Sequence, residues 1–200
     1  MRKARMIWAA ALAVFAFSAV ASASASASQW EIEGIGAITA NESITGAQNG
    51  SQVLEVKAIG LKITCTKLAV TGTIELAGAS KATLTYTKCA TAPAPCKATE
   101  PITAEVKDQL EGTPVKDKFS ENGKPFTEIT IAGCGLAGKY KVEGTQVCSL
   151  PGAGAFAIKQ ELVCATTGSA LKVLGLAATY EGKAKLELSG AHKGKKWKAS

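Results

Sequence analysis

From Ser28 onward the chain reads in steps of two. Thr83-Leu84-Thr85-Tyr86-Thr87-Lys88 alternates polar and apolar residues, and Lys139-Tyr140-Lys141-Val142-Glu143 repeats the pattern. In a strand, such alternation puts Leu84 and Tyr86, and likewise Tyr140 and Val142, on one face with the polar residues on the other. Phe156, Ile158, Gln160, Leu162 and Cys164 form another face, and Ala184, Leu186 and Leu188 a further one. Leu54 and Val56 are even-numbered, whereas Ile59, Leu61, Ile63 and Cys65 are odd. The face therefore switches near Gly60, where a bulge or bend is expected. Residues 101–112 have a helical alternative, but Ile102, Ala104 and Val106 alternate and favour a strand.

Turn chemistry fits the same picture. Asn49-Gly50 and Asn122-Gly123 are type I′ hairpin signals, the second flanked by strands over 115–120 and 125–131. Tyr180-Glu181-Gly182-Lys183 reads as a third hairpin. About ten to twelve short strands and no helix predict an all-β fold, either an antiparallel β-sandwich or a partly open β-barrel.

The first 27 residues break the alternation. A basic start (Arg2, Lys3, Arg5) leads into an apolar run from Met6 to Val20, and Ala and Ser then alternate up to Ser28. These are the three parts of a secretory signal peptide over residues 1–27, cut after Ala27. The apolar run is shorter than the roughly 20 residues that span a bilayer. The first cysteine is Cys65, too late for a lipid anchor, and Arg2 and Arg5 are not adjacent, which disfavours twin-arginine export. Residues 28–200 are expected to be one secreted domain that meets a membrane only through the signal before cleavage.

The formal charge of +7 changes meaning once divided. The signal holds three of the positive charges, and residues 183–200 carry six lysines against Glu187 alone. Between them, residues 28–182 are close to neutral. The mature part contains no arginine, the usual residue for bidentate phosphate and base-edge contacts, so nucleic acid is not an expected partner. Within the basic segment, Lys193, Lys195, Lys196, Trp197 and Lys198 form the candidate contact for an anionic polymer or surface. The competing readings are a frayed end, or a last edge strand on which Trp197 packs inward while the lysines discourage edge pairing, with Trp30 as a matching core or partner residue.

All six cysteines, Cys65, Cys89, Cys96, Cys134, Cys148 and Cys164, lie in the mature part, and an even count behind an export signal implies disulfides. Sequence does not select the pairing. Cys89 and Cys96 are the local candidate, because the proline-containing connection between them can bring the chain back within bonding range.

The order Trp30-Glu-Ile-Glu-Gly34, Ile63-Thr-Cys65, Thr87-Lys-Cys89 with Cys96, Ile131-Ala-Gly-Cys134, Tyr140-Lys-Val-Glu-Gly144 and Lys196-Trp197 resembles a group of secreted, cysteine-containing β-proteins of high-GC soil bacteria. These occur as multiple divergent copies. The resemblance implies export and a β-rich fold, and carries over no functional residue. Cys148 and Cys164 fall outside it and are expected to form an extra bridge.

Candidate chemistry is sparse. The one histidine, His192, sits among lysines in the tail and reads as a solvated residue. Phosphate-loop, dinucleotide, zinc-protease and nucleophile-elbow motifs are missing from the sequence. The two aspartates, Asp108 and Asp117, are too far apart in sequence to form a calcium loop. Catalytic, cofactor and metal residues are therefore not assigned. The leading expectation is a secreted, non-enzymatic β-domain that binds a polymer or protein at or outside the cell envelope. The alternatives are a hydrolase working through two glutamates across a concave pocket, and a disulfide-rigid inhibitor presenting residues 90–95.

Overall fold

The computed structural model describes residues 28–121 and 123–200. The expected signal peptide and Asn122 lie outside the described residues.

Long alternating segments become long strands. The strands are β1 (Trp30–Ile32), β2 (Gly36–Ala37), β3 (Glu42–Gln48), β4 (Gln52–Val56), β5 (Leu61–Ile74), β6 (Ala79–Ala92), β7 (Lys97–Ala98) and β8 (Ile102–Glu111). They continue as β9 (Lys116–Ser120), β10 (Thr127–Ala132), β11 (Gly138–Ser149), β12 (Lys159–Cys164), β13 (Ala170–Val173), β14 (Leu176–Leu188) and β15 (Trp197–Ala199). Residues 101–112 are strand, as their alternation requires.

Several of these strands are halves of one longer stave. β3 and β4 both run antiparallel to β5 and β14. β9 and β10 both run antiparallel to β11, and β12 and β13 both pair with β11 and β14. β8 pairs with β6 and β9, and β7 continues its line against β10. The result is eight staves in chain order: β3/β4, β5, β6, β7/β8, β9/β10, β11, β12/β13 and β14. Each pairs with the next, and β14 pairs back onto β3/β4. The fold is all-β, antiparallel and disulfide-bonded, and of the two architectures left open by the sequence it is the barrel, with its ring closed.

The Asn-Gly signals mark interruptions inside staves, which corrects the hairpin reading. On β5, Ala47 opposes Ala69 and Gln52 opposes Cys65, so four residues stand against three. That is a one-residue bulge, and Gly50 supplies its positive φ of 114°. At the second site Ser120 pairs with Thr145 and Thr127 with Val142, so β9 and β10 lie end to end on β11 and do not pair with each other. The third expected hairpin, Tyr180 to Lys183, lies wholly within β14. The face switch near Gly60 is the hairpin itself: a 3-10 turn over Lys57–Ile59 and Gly60 at φ 66° join β4 to β5.

Both ends of the barrel are filled. At the top, where β4 turns into β5 and β13 into β14, Val56, Leu61, Ile131 and Val173 are fully buried. At the floor, β1 pairs with both β15 and β2 to form a small second sheet. This sheet carries Trp30 and Trp197 into the floor with ring centroids 5.2 Å apart. Each indole N–H has a carbonyl: Trp30 Nε1 donates to Ala79 O, and Trp197 Nε1 to Ile158 O. Large aromatics bury about 150–250 Å² each, so this pair contributes much of the closure at that end.

Candidate binding cavity

Alternation sends every second side chain of each stave inward, but the interior does not fill. Leu54, Ala82, Leu84, Tyr86 and Tyr180 face the barrel axis and yet are only half-buried. Their uncovered surface lines a cavity of about 140 Å³. Ala104, Val106, Ile129 and Leu171 complete much of an apolar wall.

Two polar clusters interrupt that wall. In the first, Tyr86 and Tyr180 pack edge to face, their hydroxyls 3.2 Å apart. Tyr180 donates to Gln52 Oε1 at 2.6 Å, which leaves the Tyr86 hydroxyl as donor to Tyr180. Gln52 Nε2 in turn donates to the carbonyls of Lys183 and Gly50. Burial pushes the Tyr86 phenol up to about 12, and burial with the neighbouring Tyr86 pushes Tyr180 well up as well. Both therefore stay neutral hydroxyls at any ordinary pH, one end of each ring apolar and the other a hydrogen-bonding handle.

The second cluster lies near the floor. Ser80 opposes Asp108 across β6 and β8, and Ser80 Oγ donates to Asp108 Oδ1. Asp117 on β9 opposes Leu110, one diagonal step from Asp108, and its Oδ1 is buried without a hydrogen-bond partner. Both aspartates are more than nine-tenths buried. Burial raises the Asp108 carboxyl to about 6, the Ser80 hydrogen bond holding it from going further. Burial and the Asp108 charge push Asp117 well above the ordinary carboxylate range.

Motif reading missed this cluster, because it asked only whether the two aspartates could form a calcium loop. The signal was present in the alternation. Residues 102, 104, 106, 108 and 110 share the inner face of β8, and residues 117 and 119 share that of β9. Both aspartates occupy positions that the pattern reserves for apolar side chains.

The expected tail site is redistributed. Trp197 is fully buried at the floor and has no face to offer a surface. Lys198 pairs with Glu31 at 3.3 Å and lies over the Phe156 ring, and Lys196 pairs with Glu33 at 3.3 Å. Ser200 Oγ also donates to Glu31, and together with Lys198 holds that carboxyl below its ordinary value. Lys193 and Lys195 remain exposed. His192 docks against Glu42, Nδ1 to Oε2 at 2.8 Å, and is half-buried, where the sequence suggested a solvated residue. Phe156 and Ile158, assigned to the inner face with Gln160, precede β12 and are exposed.

All six cysteines are bridged, as Cys65–Cys89, Cys96–Cys134 and Cys148–Cys164. This overturns the Cys89–Cys96 candidate. Register places Cys89 directly opposite Cys65 across β5 and β6, while Cys96, itself buried, bonds Cys134 beyond the end of β10. The extra Cys148–Cys164 bridge forms as expected, between residues directly opposed on β11 and β12. The segment offered as an inhibitory loop is not cross-linked at its own base, and its first three residues belong to β6.

Compared with protein-family models, curated proteins and solved structures, the chain matches none of them.

Proposed function

We propose that the mature chain is a secreted, non-enzymatic carrier that holds one small, largely apolar molecule inside the barrel. The observation that carries this reading is the unfilled apolar centre between two packed ends. Protein interiors are ordinarily close-packed, and an unfilled centre forfeits dispersion contacts along its whole lining. Closed barrels of about eight strands are just wide enough either to fill with side chains or to hold one small ligand. A cavity of about 140 Å³ is in the range that takes up a benzene-sized guest in an apolar interior. The Tyr86–Tyr180–Gln52 chain gives such a guest one polar handle.

Three disulfides fit an oxidising compartment, and with the basic, apolar and small-residue N-terminal pattern they support export. The polymer or protein partner expected from the tail loses its aromatic member and two of its four lysines to contacts within the fold. The hydrolase alternative called for two glutamates set about 5 to 10 Å apart. The acids that line the cavity are Asp108 and Asp117, one diagonal step apart and both buried, and among the described residues no glutamate lines it.

The test is a calorimetric titration of residues 28–200 with toluene, beside an Ala82→Phe variant in which the new ring fills the cavity. Saturable one-to-one binding to the parent chain, lost in a folded Ala82→Phe variant, is the expected result. Absence of binding to the parent chain would refute the reading.

A further inference from the structure

A purely apolar guest leaves the floor cluster unexplained. Asp108 and Asp117 bring two carboxyls to adjoining inward positions of β8 and β9, both buried against the cavity. Among the described residues neither carboxyl is ion-paired to a lysine or histidine. An uncompensated charge in such surroundings costs several kcal/mol. A second, independent feature adjoins it. Gln146 on β11, 6% exposed, opposes Phe119 and lies diagonal to Asp117, and it lines the same cavity. Its Nε2 donates to the carbonyls of Val147 and Ala165, which fixes the amide and leaves Oε1 without a hydrogen-bond partner.

We propose that this floor binds the protonated amino group of a small apolar amine, whose hydrocarbon body occupies the cavity above it. Asp108, Asp117 and Gln146 Oε1 offer three acceptors to an ammonium group that has three donors and no acceptor. Ser80 keeps its hydrogen bond to Asp108, and no covalent bond changes on binding. The donor set suits an ammonium better than a hard metal ion, which takes six or more oxygens. Among the described residues no three His, Cys, Asp or Glu side chains gather as metal ligands.

The groups packed against the pair add no competing charge. They are Ser80 from β6, Leu110 and Phe119 across β8 and β9, and the bridged Cys148 from β11. The outside charge acting on it is Glu75, which makes the site slightly more negative. Protonation of Asp108 in mild acid removes its charge, so affinity for the amine falls as the pH drops through about 6.

This inference rests on the cavity reading, and the test separates the two. Residues 28–200 are titrated with benzylamine and with toluene at about pH 8 and about pH 5, conditions chosen to straddle the Asp108 titration. The expected result is benzylamine binding at least about tenfold tighter than toluene at the higher pH. That advantage should vanish at the lower pH and in Asp108→Asn, with toluene affinity unchanged. Gln146→Leu, which leaves both carboxyls in place, should reduce the advantage of the amine by several-fold. Equal affinity for the two probes at the higher pH would overturn the amine inference while leaving the cavity reading intact. Failure of both probes to bind would overturn both.

Discussion

Gln52 Oε1 occupies the space in which a Cβ on Gly182 would stand, so the missing side chain of one stave makes room for the polar side chain of the next. Gly182 sits in the middle of β14, paired with Cys164, at a position where a glycine otherwise weakens a strand. Its value is the Gln52 amide that it admits, which joins Tyr180 to the Lys183 carbonyl. Gly182→Ala is expected to destabilise the barrel by about 1–3 kcal/mol through overpacking. Most of that cost should disappear in a Gln52→Ala background, because the closest contacts of the new Cβ are with Gln52, the Tyr180 hydroxyl standing farther off at 3.0 Å. Urea unfolding of the four chains checks it; additive costs would rule the clash out.

Stability should fall as pH rises from mild acid to neutrality. Asp108 titrates near 6 when folded, against about 3.9 in an unfolded chain. Between those values the folded state holds a proton that the unfolded state has lost, so raising the pH favours unfolding. The two-unit difference corresponds to about 3 kcal/mol, and Asp117, also raised by burial, acts in the same direction. Denaturant unfolding at intervals from about pH 4 to about pH 8 is the measurement. Asp108→Asn should flatten the profile, whereas a stability that climbs over this range in the parent chain would contradict the assignment.

Non-reducing peptide mapping should return Cys65–Cys89, Cys96–Cys134 and Cys148–Cys164. The last bridge closes a sequence separation of 16 residues, and a loop of that size is worth about 3 kcal/mol in the chain-entropy model. Replacing Cys148 and Cys164 together by alanine should lower stability by about that amount, read by the same unfolding assay. A Cys89–Cys96 peptide would contradict the pairing.

The tail should behave as part of the fold rather than as an appendage. Trp197→Ala removes a fully buried ring from the Trp30 stack, and a loss of about 3–5 kcal/mol is expected. Lys193→Gln and Lys195→Gln touch exposed side chains and should alter stability by less than about 0.5 kcal/mol. Any salt-sensitive retention on heparin should follow those two lysines. Thermal melts and heparin chromatography of the point variants separate the roles, which deletion of the tail, by removing β15, does not.

The sequence displayed the inner faces well and the connections poorly. Leu84, Tyr86, Tyr140, Val142, Leu186 and Leu188 point where period-two alternation put them, because burying one face is what fixes a strand's rotation. Asn49-Gly50 carries a positive-φ preference that suits a hairpin and a bulge equally. Only the partner strands decide between them, and those lie tens of residues away. The disulfide pairing was hidden for the same reason: Cys65 and Cys89 meet through the register of β5 on β6. The aspartate pair was readable from alternation, position by position, and was lost by seeking a local motif in place of a shared inner face.

The most direct measurement is methyl-resolved NMR of residues 28–200 titrated with toluene. Saturable shifts are expected at the cavity-lining methyls of Leu54, Ala82, Leu84 and Ala104, with none at Ile158 and Leu174, which are 47% and 62% exposed. Shifts confined to Ile158, Leu174 and other exterior methyls, or no saturable shift at all, would contradict a ligand-holding barrel.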